Sequence, residues 1–334
     1  MRKRPRIALN FSPDGKILAS SNPLRIIRQG QKWHFQSGKT VELWHVPSMK
    51  LWKQLPEGQG SFAFVFSPDG KLLAVGGSRD NRISLWKLPE GRRVAQLKPP
   101  IPRSHFHEYV RSLAFSPDGR LLAVGTRNGL VHLYRLPQGK LLGSLNSLCW
   151  SVIVSLAFSP DGKKLVVSTG DGGNVLQLWQ VSERRLIWER KHNVVCFQVA
   201  FAKQGKEIIG AGYGLLRCDA ADGKVIAAQY LGEFPPGSIS PDGEWVAAWD
   251  FSKGEVKIYR SSDFKEVWRS SVPGWKLKWT LQRWAHQIEQ RWGIKVTRWI
   301  DFNFPWVFGF ALSPDKRWLA LGFDDGRIRL LKIR

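Results

Sequence analysis

The sequence is poor in cysteine, in acidic residues and in long apolar stretches, and each shortage excludes a class of protein. Its three cysteines, Cys149, Cys196 and Cys218, are too few and too widely spaced for a disulfide framework, so a reducing, cytoplasmic location fits best. No apolar run reaches the ~20 residues that span a bilayer, and no signal-peptide core follows the basic N-terminus. With 43% hydrophobic residues, a chain of 334 residues can nevertheless bury a substantial core.

The shortage of acidic residues is confined to part of the chain. There are 27 Asp and Glu against 51 Lys and Arg, a formal net charge of +24. Residues 149–259 hold twelve bases and twelve acids, so the whole excess lies on 1–148 and 260–334. A uniform compositional bias would not leave such a neutral stretch. The uneven field indicates an anionic partner, because charge of one sign steers association.

A five-residue phrase, Phe-Ser-Pro-Asp-Gly, recurs along the chain. Complete copies start at Phe11, Phe66, Phe115 and Phe158, and weaker copies start at Phe201, Ile239 and Leu312. A period near 40–45 residues is the mark of a repeat array. Pro-Asp-Gly and Asn-Gly favour tight turns, since proline presets φ and glycine accepts positive φ.

Each repeat is predicted to contain four short antiparallel strands. In the third repeat these cover 110–116, 120–126, 130–136 and 140–145. Val131 and Leu133 are expected to face the core, with His132 and Tyr134 outward or lateral. One four-stranded sheet cannot bury both of its faces alone, so the units must stack, and radial stacking produces a propeller.

These features resemble the WD40-repeat seven-bladed β-propeller family over essentially the whole chain. Besides the turns, the resemblance rests on the ends of third strands, which are Leu43-Trp44, Leu85-Trp86, Leu178-Trp179, Leu133-Tyr134 and Ile258-Tyr259. It implies an all-β fold and one domain over 1–334. No repeat carries the family's full Trp–Ser/Thr–Asp–His set, so apolar stacking must hold the blades together. Cys218 takes a Trp position and is predicted to be a buried hydrophobe, and the last blade is predicted to have three strands.

Long insertions are expected at one rim of the propeller only. We call the rim with the first-to-second and third-to-fourth turns the first rim, and the rim with the second-to-third turns and the links between blades the second rim. Insertions 21–39, 98–108 and 270–305 all fall on the second rim, which the resemblance implies is the preferred ligand face. Residues 276–292 are predicted to form an amphipathic helix, whose apolar stripe we expect to pack on the propeller.

The candidate binding residues come from two of these insertions. Arginine can form forked hydrogen bonds to carboxylate or phosphate, lysine supplies a point charge and tryptophan a stacking anchor. The predicted site comprises Arg25, Arg28, Lys32 and Trp33 from the first insertion and Lys276, Lys278, Trp279, Arg283 and Arg291 from the third.

The sequence predicts a non-enzymatic, monomeric scaffold that binds an acidic protein partner through this basic, Trp-rich rim. Nucleic acid is the alternative, with Arg and Lys on phosphates and Trp stacked on bases. Attachment to an anionic membrane is the weakest alternative. No catalytic motif is present, and no cofactor is expected. His105 and His107 lack a third ligand at metal-binding spacing, so no metal site is predicted.

Overall fold

The computed structural model shows seven antiparallel sheets, each built from consecutive strands of the chain. It describes residues 8–21, 25–29, 32–36, 40–56, 63–76, 81–100, 110–146, 151–170, 174–231, 237–250, 253–272, 307–323 and 327–333. We number the sheets as blades one to seven in chain order. Six have four described strands and blade seven has three, which confirms the predicted seven-bladed propeller with a three-stranded last blade.

The first three blades follow one strand order, from a first strand to a fourth. The strands from the start of the chain to the end of blade one are β1 (Leu9–Phe11), β2 (Ile17–Ser21), β3 (Arg25–Gln29), β4 (Lys32–Gln36), β5 (Thr40–His45) and β6 (Lys50–Pro56), of which β1, β2, β5 and β6 form the blade. Blade two contains β7 (Ala63–Phe66), β8 (Leu72–Gly76), β9 (Ile83–Lys87) and β10 (Arg92–Leu97). Blade three contains β11 (Val110–Phe115), β12 (Leu121–Thr126), β13 (Leu130–Arg135) and β14 (Lys140–Asn146).

The remaining blades repeat this order. Blade four contains β15 (Ile153–Phe158), β16 (Lys164–Thr169), β17 (Val175–Gln180) and β18 (Arg185–Lys191). Blade five contains β19 (Cys196–Ala202), a 3₁₀ turn (Lys203–Gly205), β20 (Glu207–Gly212), β21 (Gly214–Asp219) and β22 (Val225–Tyr230). Blade six contains β23 (Gly237–Ile239), β24 (Trp245–Asp250), β25 (Glu255–Arg260) and β26 (Glu266–Ser271). Blade seven contains β27 (Val307–Leu312), β28 (Trp318–Phe323) and β29 (Ile328–Lys332).

The blades form a closed ring. The first strands of successive blades contact one another, and β27 of blade seven contacts β1 of blade one. A cluster built from Phe11 and Leu18 of blade one and Ala311 and Ala320 of blade seven fills this last junction. At the first rim Pro314 likewise lies against Gly15, as Pro13 lies against the turn glycine of blade two. The ring therefore closes by packing between blades seven and one.

The Ser-Pro-Asp turns share one hydrogen-bond pattern. In blade three, the Ser116 hydroxyl donates to Asp118 Oδ1 at 2.5 Å and accepts the Leu121 N–H at 2.8 Å, while the same carboxylate accepts the Arg120 N–H at 3.0 Å. The same Ser–Asp bond occurs in blades one, two, four, six and seven. The hydrogen bond from Ser116 lowers the pKa of Asp118 below its usual 3.8. The repeated phrase is thus explained by backbone groups at the turn.

Side chains on both faces of an inner strand are buried, which corrects one expectation from the sequence. Val131 and Leu133 lie in the core as predicted, but His132 and Tyr134 are also only 1% and 3% exposed. The reason is that a blade is covered by a neighbour on each side, so alternation along its inner strands does not separate core from solvent. Cys218 is fully buried at its Trp position, as predicted.

Candidate interaction surface

The first insertion forms a two-stranded hairpin that is separate from the blades. Its strands, β3 and β4, pair antiparallel, with Arg28 opposite Trp33 and Arg25 opposite Gln36. Lys32 is opposite Gln29, so it shares a face of the ribbon with Arg25, while Arg28 and Trp33 share the other. The structure therefore places these four predicted residues on one hairpin, divided between its two faces.

The second group of predicted residues lies outside the described residues. This applies to Lys276, Lys278, Trp279, Arg283 and Arg291, and also to the predicted helix over 276–292 and to His105 and His107. Insertion 98–108 is described only at its first three residues. The predicted site is thus represented by the hairpin of blade one.

Described basic residues at the second rim extend from this hairpin across blades two and three. Arg82, Lys98 and Arg127 are exposed, and Arg82 Nη1 donates to Gln96 Oε1 at 3.0 Å. On blade six the same rim carries acids, and Asp250 pairs with Lys257 at 2.7 Å. These described charged residues are therefore basic on blades two and three and of both signs on blade six.

β-Bulges at the start of first strands redirect side chains where the inner ring meets the second rim. In blades three, four and five the strand pairing skips one residue, and these residues are Arg111, Val154 and Phe197. Phe197 is 38% exposed and packs edge-to-face on Tyr213, with ring centroids 5.1 Å apart. A bulge re-aims a side chain in this way because the extra residue leaves the ladder. Sequence reasoning missed this aromatic pair because a bulge leaves no regular spacing.

One buried histidine and two buried cysteines in the described blades are shifted towards their neutral forms. Burial lowers the pKa of His132 from 6.5 to about 4 and raises the pKa of Cys218 to about 12. Burial also raises the pKa of Cys196. Thiols shifted in this direction are weak nucleophiles at neutral pH, because the thiolate is the reactive form. Within the part of the chain that the structure describes, no three His, Cys, Asp or Glu side chains are grouped to hold a metal ion.

None of the helices among the described residues is long and apolar enough to cross a membrane. The described architecture is a ring of antiparallel sheets with a basic hairpin at one rim. That combination defines a β-propeller with an inserted hairpin.

Comparisons with known proteins agree with this class. The family model "WD domain, G-beta repeat" matches residues 57–87 and 139–180, and "Anaphase-promoting complex subunit 4 WD40 domain" matches residues 90–153. A chain of a solved structure, "Crystal Structure of Mitotic Checkpoint Complex", is 18% identical, with a TM-score of 0.70 over 98% of this chain and 89% of that one. None of the curated proteins matches. The matched repeats, together with the seven-bladed ring, support a WD40-repeat propeller, a class that typically serves as a protein-interaction scaffold.

Proposed function

We propose that this propeller is a non-enzymatic scaffold that binds an acidic protein partner through the second rim of blades one to three. The observation that carries the proposal is the continuity of positive charge at that rim. The basic hairpin of blade one is followed along the chain by exposed Arg82, Lys98 and Arg127. Carboxylates bound there would meet several bases, and arginine supplies forked hydrogen bonds to them.

Charge at this rim acts mainly on association rate and on partner choice. A field concentrated on one side of a ring orients an anionic partner before contact, whereas an evenly charged ring would not. Tryptophan at the hairpin would then supply the desolvated anchor that binding energy requires. A cytoplasmic location remains part of the proposal.

A nucleic-acid ligand is the second candidate, and the register of the hairpin is the observation that favours it. Arg28 is paired directly with Trp33 in the strand register, so an arginine and a tryptophan occupy positions on one face of the ribbon. Such a pair suits a phosphate beside a stacked, unpaired base. Affinity would then fall steeply as salt is raised from about 50 to about 200 mM.

The test is fluorescence anisotropy of nuclease-treated protein with two probes, a poly-glutamate peptide and short random oligonucleotides. We expect the peptide to bind, and the variants Arg25→Ala/Arg28→Ala and Lys276→Ala/Lys278→Ala to weaken it about tenfold. The matched control, Lys16→Ala/Lys71→Ala, removes the same charge from exposed first-rim positions and should bind as the wild type does.

The outcomes separate the two candidates. Oligonucleotide binding that weakens steeply with salt and is lost in the rim variants, while the peptide binds weakly, is the result expected of a nucleic-acid-binding propeller. Equal losses in the rim variants and in the first-rim control would show that only net charge matters, and would contradict a site at the second rim.

A further inference from the structure

The outer edge of blade seven differs from the other six. Among the described residues, blades one to six each have a fourth strand hydrogen-bonded to the third, whereas no described strand pairs with the outer side of β29. An unpaired strand edge presents a row of backbone donors and acceptors to an incoming chain. The other blades show what a strand at this position looks like.

Apolar side chains that other blades bury on the third strand are only half-buried in β29. The strand register aligns Ile328 with Val41, Ile83, Val131, Leu176, Leu215 and Val256, all of which are at most 2% exposed. Leu330 aligns with Leu43 of blade one, which is fully buried. Both Ile328 and Leu330 remain partly exposed. Among the described residues, Ile328 and Leu330 therefore lack packing partners on the side of the unpaired edge.

The face of blade one that packs on blade seven is also incompletely buried. In blade one, Leu55 of the fourth strand is fully buried in a cluster with Leu73 and Trp86 of blade two. At the junction of blades seven and one, Trp44 is the counterpart of Trp86 by strand register. Trp86 is 5% exposed, whereas Trp44 is partly exposed. No described residue occupies the position of Leu55 at this junction.

The residue between the two apolar positions specifies the charge of the missing strand. At this level blades one and four form cross-strand side-chain hydrogen bonds, from Gln54 to Glu42 at 3.2 Å and from Gln177 to Glu189 at 2.6 Å. In β29 the position is held by the exposed Arg329. Where this position is basic in blade six, the base pairs with an acid of the second strand, as Lys257 does with Asp250. The second strand of blade seven, β28, contains no acid, so a carboxylate for Arg329 has to come from the missing strand.

We propose that the outer edge of β29 takes up an extended, acidic segment of a partner protein as the fourth strand of blade seven. The segment runs antiparallel and places a small apolar residue opposite Leu330, an acid opposite Arg329 and a large apolar residue opposite Ile328. The basic segments of this chain that flank blade seven in the ring, 1–7 and 273–306, suit the edge poorly because like charges across a strand pair repel. This surface is distinct from the second-rim site, so either proposal can fail alone.

The probe is a fluorescein-labelled peptide based on β10, carrying Arg92→Glu, Arg93→Glu and Gln96→Glu. In blade two, Ala95, Gln96 and Leu97 pair with the residues that align with Leu330, Arg329 and Ile328. We expect saturable binding by anisotropy, weakened about tenfold or more by Arg329→Glu. A peptide with lysine at position 96 should recover affinity for that variant. The control Arg135→Glu reverses an exposed charge on a third strand whose edge is already paired, and should change affinity less than about twofold.

Amide hydrogen exchange gives a second readout on the same samples. Alternate amides of β29 should exchange fast in the free protein and become protected when the peptide is added, because a new ladder engages every second N–H. Protection of those amides in the free protein would show that a segment of this chain already covers the edge, and would overturn the proposal. So would no saturation by about 1 mM peptide, or equal weakening by Arg329→Glu and Arg135→Glu.

Discussion

At the scale of single residues, His132 shows how a blade interior changes a titratable group. Its ring is 1% exposed, and Nδ1 lies 2.7 Å from Ser144 Oγ. Burial lowers its pKa from 6.5 to about 4, so the imidazole is neutral at pH 7. The unfolded chain takes up a proton near pH 6.5 but the folded chain does not until about pH 4. The free energy of unfolding must therefore fall as the pH drops through this window.

Between pH 7 and pH 5, we expect the free energy of unfolding of His132→Gln to fall by about 2 kcal/mol less than that of the wild type. Glutamine keeps a polar partner for Ser144 but does not titrate. The measurement is urea unfolding of both proteins at the two pH values. His45→Gln, the same substitution at an exposed position of blade one, is the matched control. An unchanged pH dependence in His132→Gln would show that the buried imidazole is not the group responsible.

At the scale of an element, the Ser-Pro-Asp turn is held by one hydroxyl and one carboxylate. Ser116 is 2% exposed, and it serves both Asp118 and the Leu121 N–H. Ser116→Ala leaves that N–H without its acceptor, so we expect a loss of about 1–2 kcal/mol in the free energy of unfolding at pH 7. Ser48→Ala, at an exposed turn where the hydroxyl has only long contacts of 3.5 Å to His45 O and 3.4 Å to Lys50 N, should cost less than about 0.5 kcal/mol.

The pH dependence of the same variant tests the role of the carboxylate. The pKa of Asp118 is lowered mainly by Ser116, so the carboxylate adds stability above its unfolded value of 3.8, and this is lost as the pH falls through the folded pKa. The difference between the wild type and Ser116→Ala should therefore shrink below about pH 3.8. A difference that stays constant down to pH 2 would mean that only the Leu121 hydrogen bond matters.

The outer strand of blade five, β22, differs from the other described outer strands because it contains no charged residue. Its Val225 and Ile226 are 50% and 45% exposed. Edge strands of this kind invite pairing with other chains. We expect Ile226→Lys to raise the protein concentration at which aggregation begins, measured by light scattering. Leu141→Lys, in a strand that already carries Lys140, should have a smaller effect.

How far the sequence predicts these elements depends on whether their cause is local. The turns, the blade number and the three-stranded last blade follow from Pro-Asp-Gly chemistry and from the repeat. The bulges at Arg111 and Phe197 do not, because a bulge is set by strand pairing rather than by composition. The burial of His132 was missed for a similar reason, since contacts with neighbouring blades decide it. Of the predicted site, Arg25, Arg28, Lys32 and Trp33 fall on a hairpin that the sequence indicated only as a long insertion.

At the scale of the whole molecule, closure of the ring distinguishes this fold from an open repeat array. In an open array each unit contacts only its neighbours, so the two ends can unfold separately. Here Leu18 of blade one is fully buried at the junction with blade seven, and Leu73 occupies the equivalent register position at the junction of blades one and two. The two leucines are alike in burial and differ only in which junction they fill.

This comparison gives a prediction about cooperativity. We expect Leu18→Ala and Leu73→Ala each to lower the free energy of unfolding by about 2–5 kcal/mol, with one cooperative transition in both variants. The reason is that a closed ring has no terminal blade, so no blade can unfold without breaking its junctions on both sides. Thermal unfolding followed by circular dichroism and by tryptophan fluorescence tests this, because a single transition gives coincident curves. If Leu18→Ala alone produced an early, separate transition, the junction of blades seven and one would be an end of an open array rather than a closed contact.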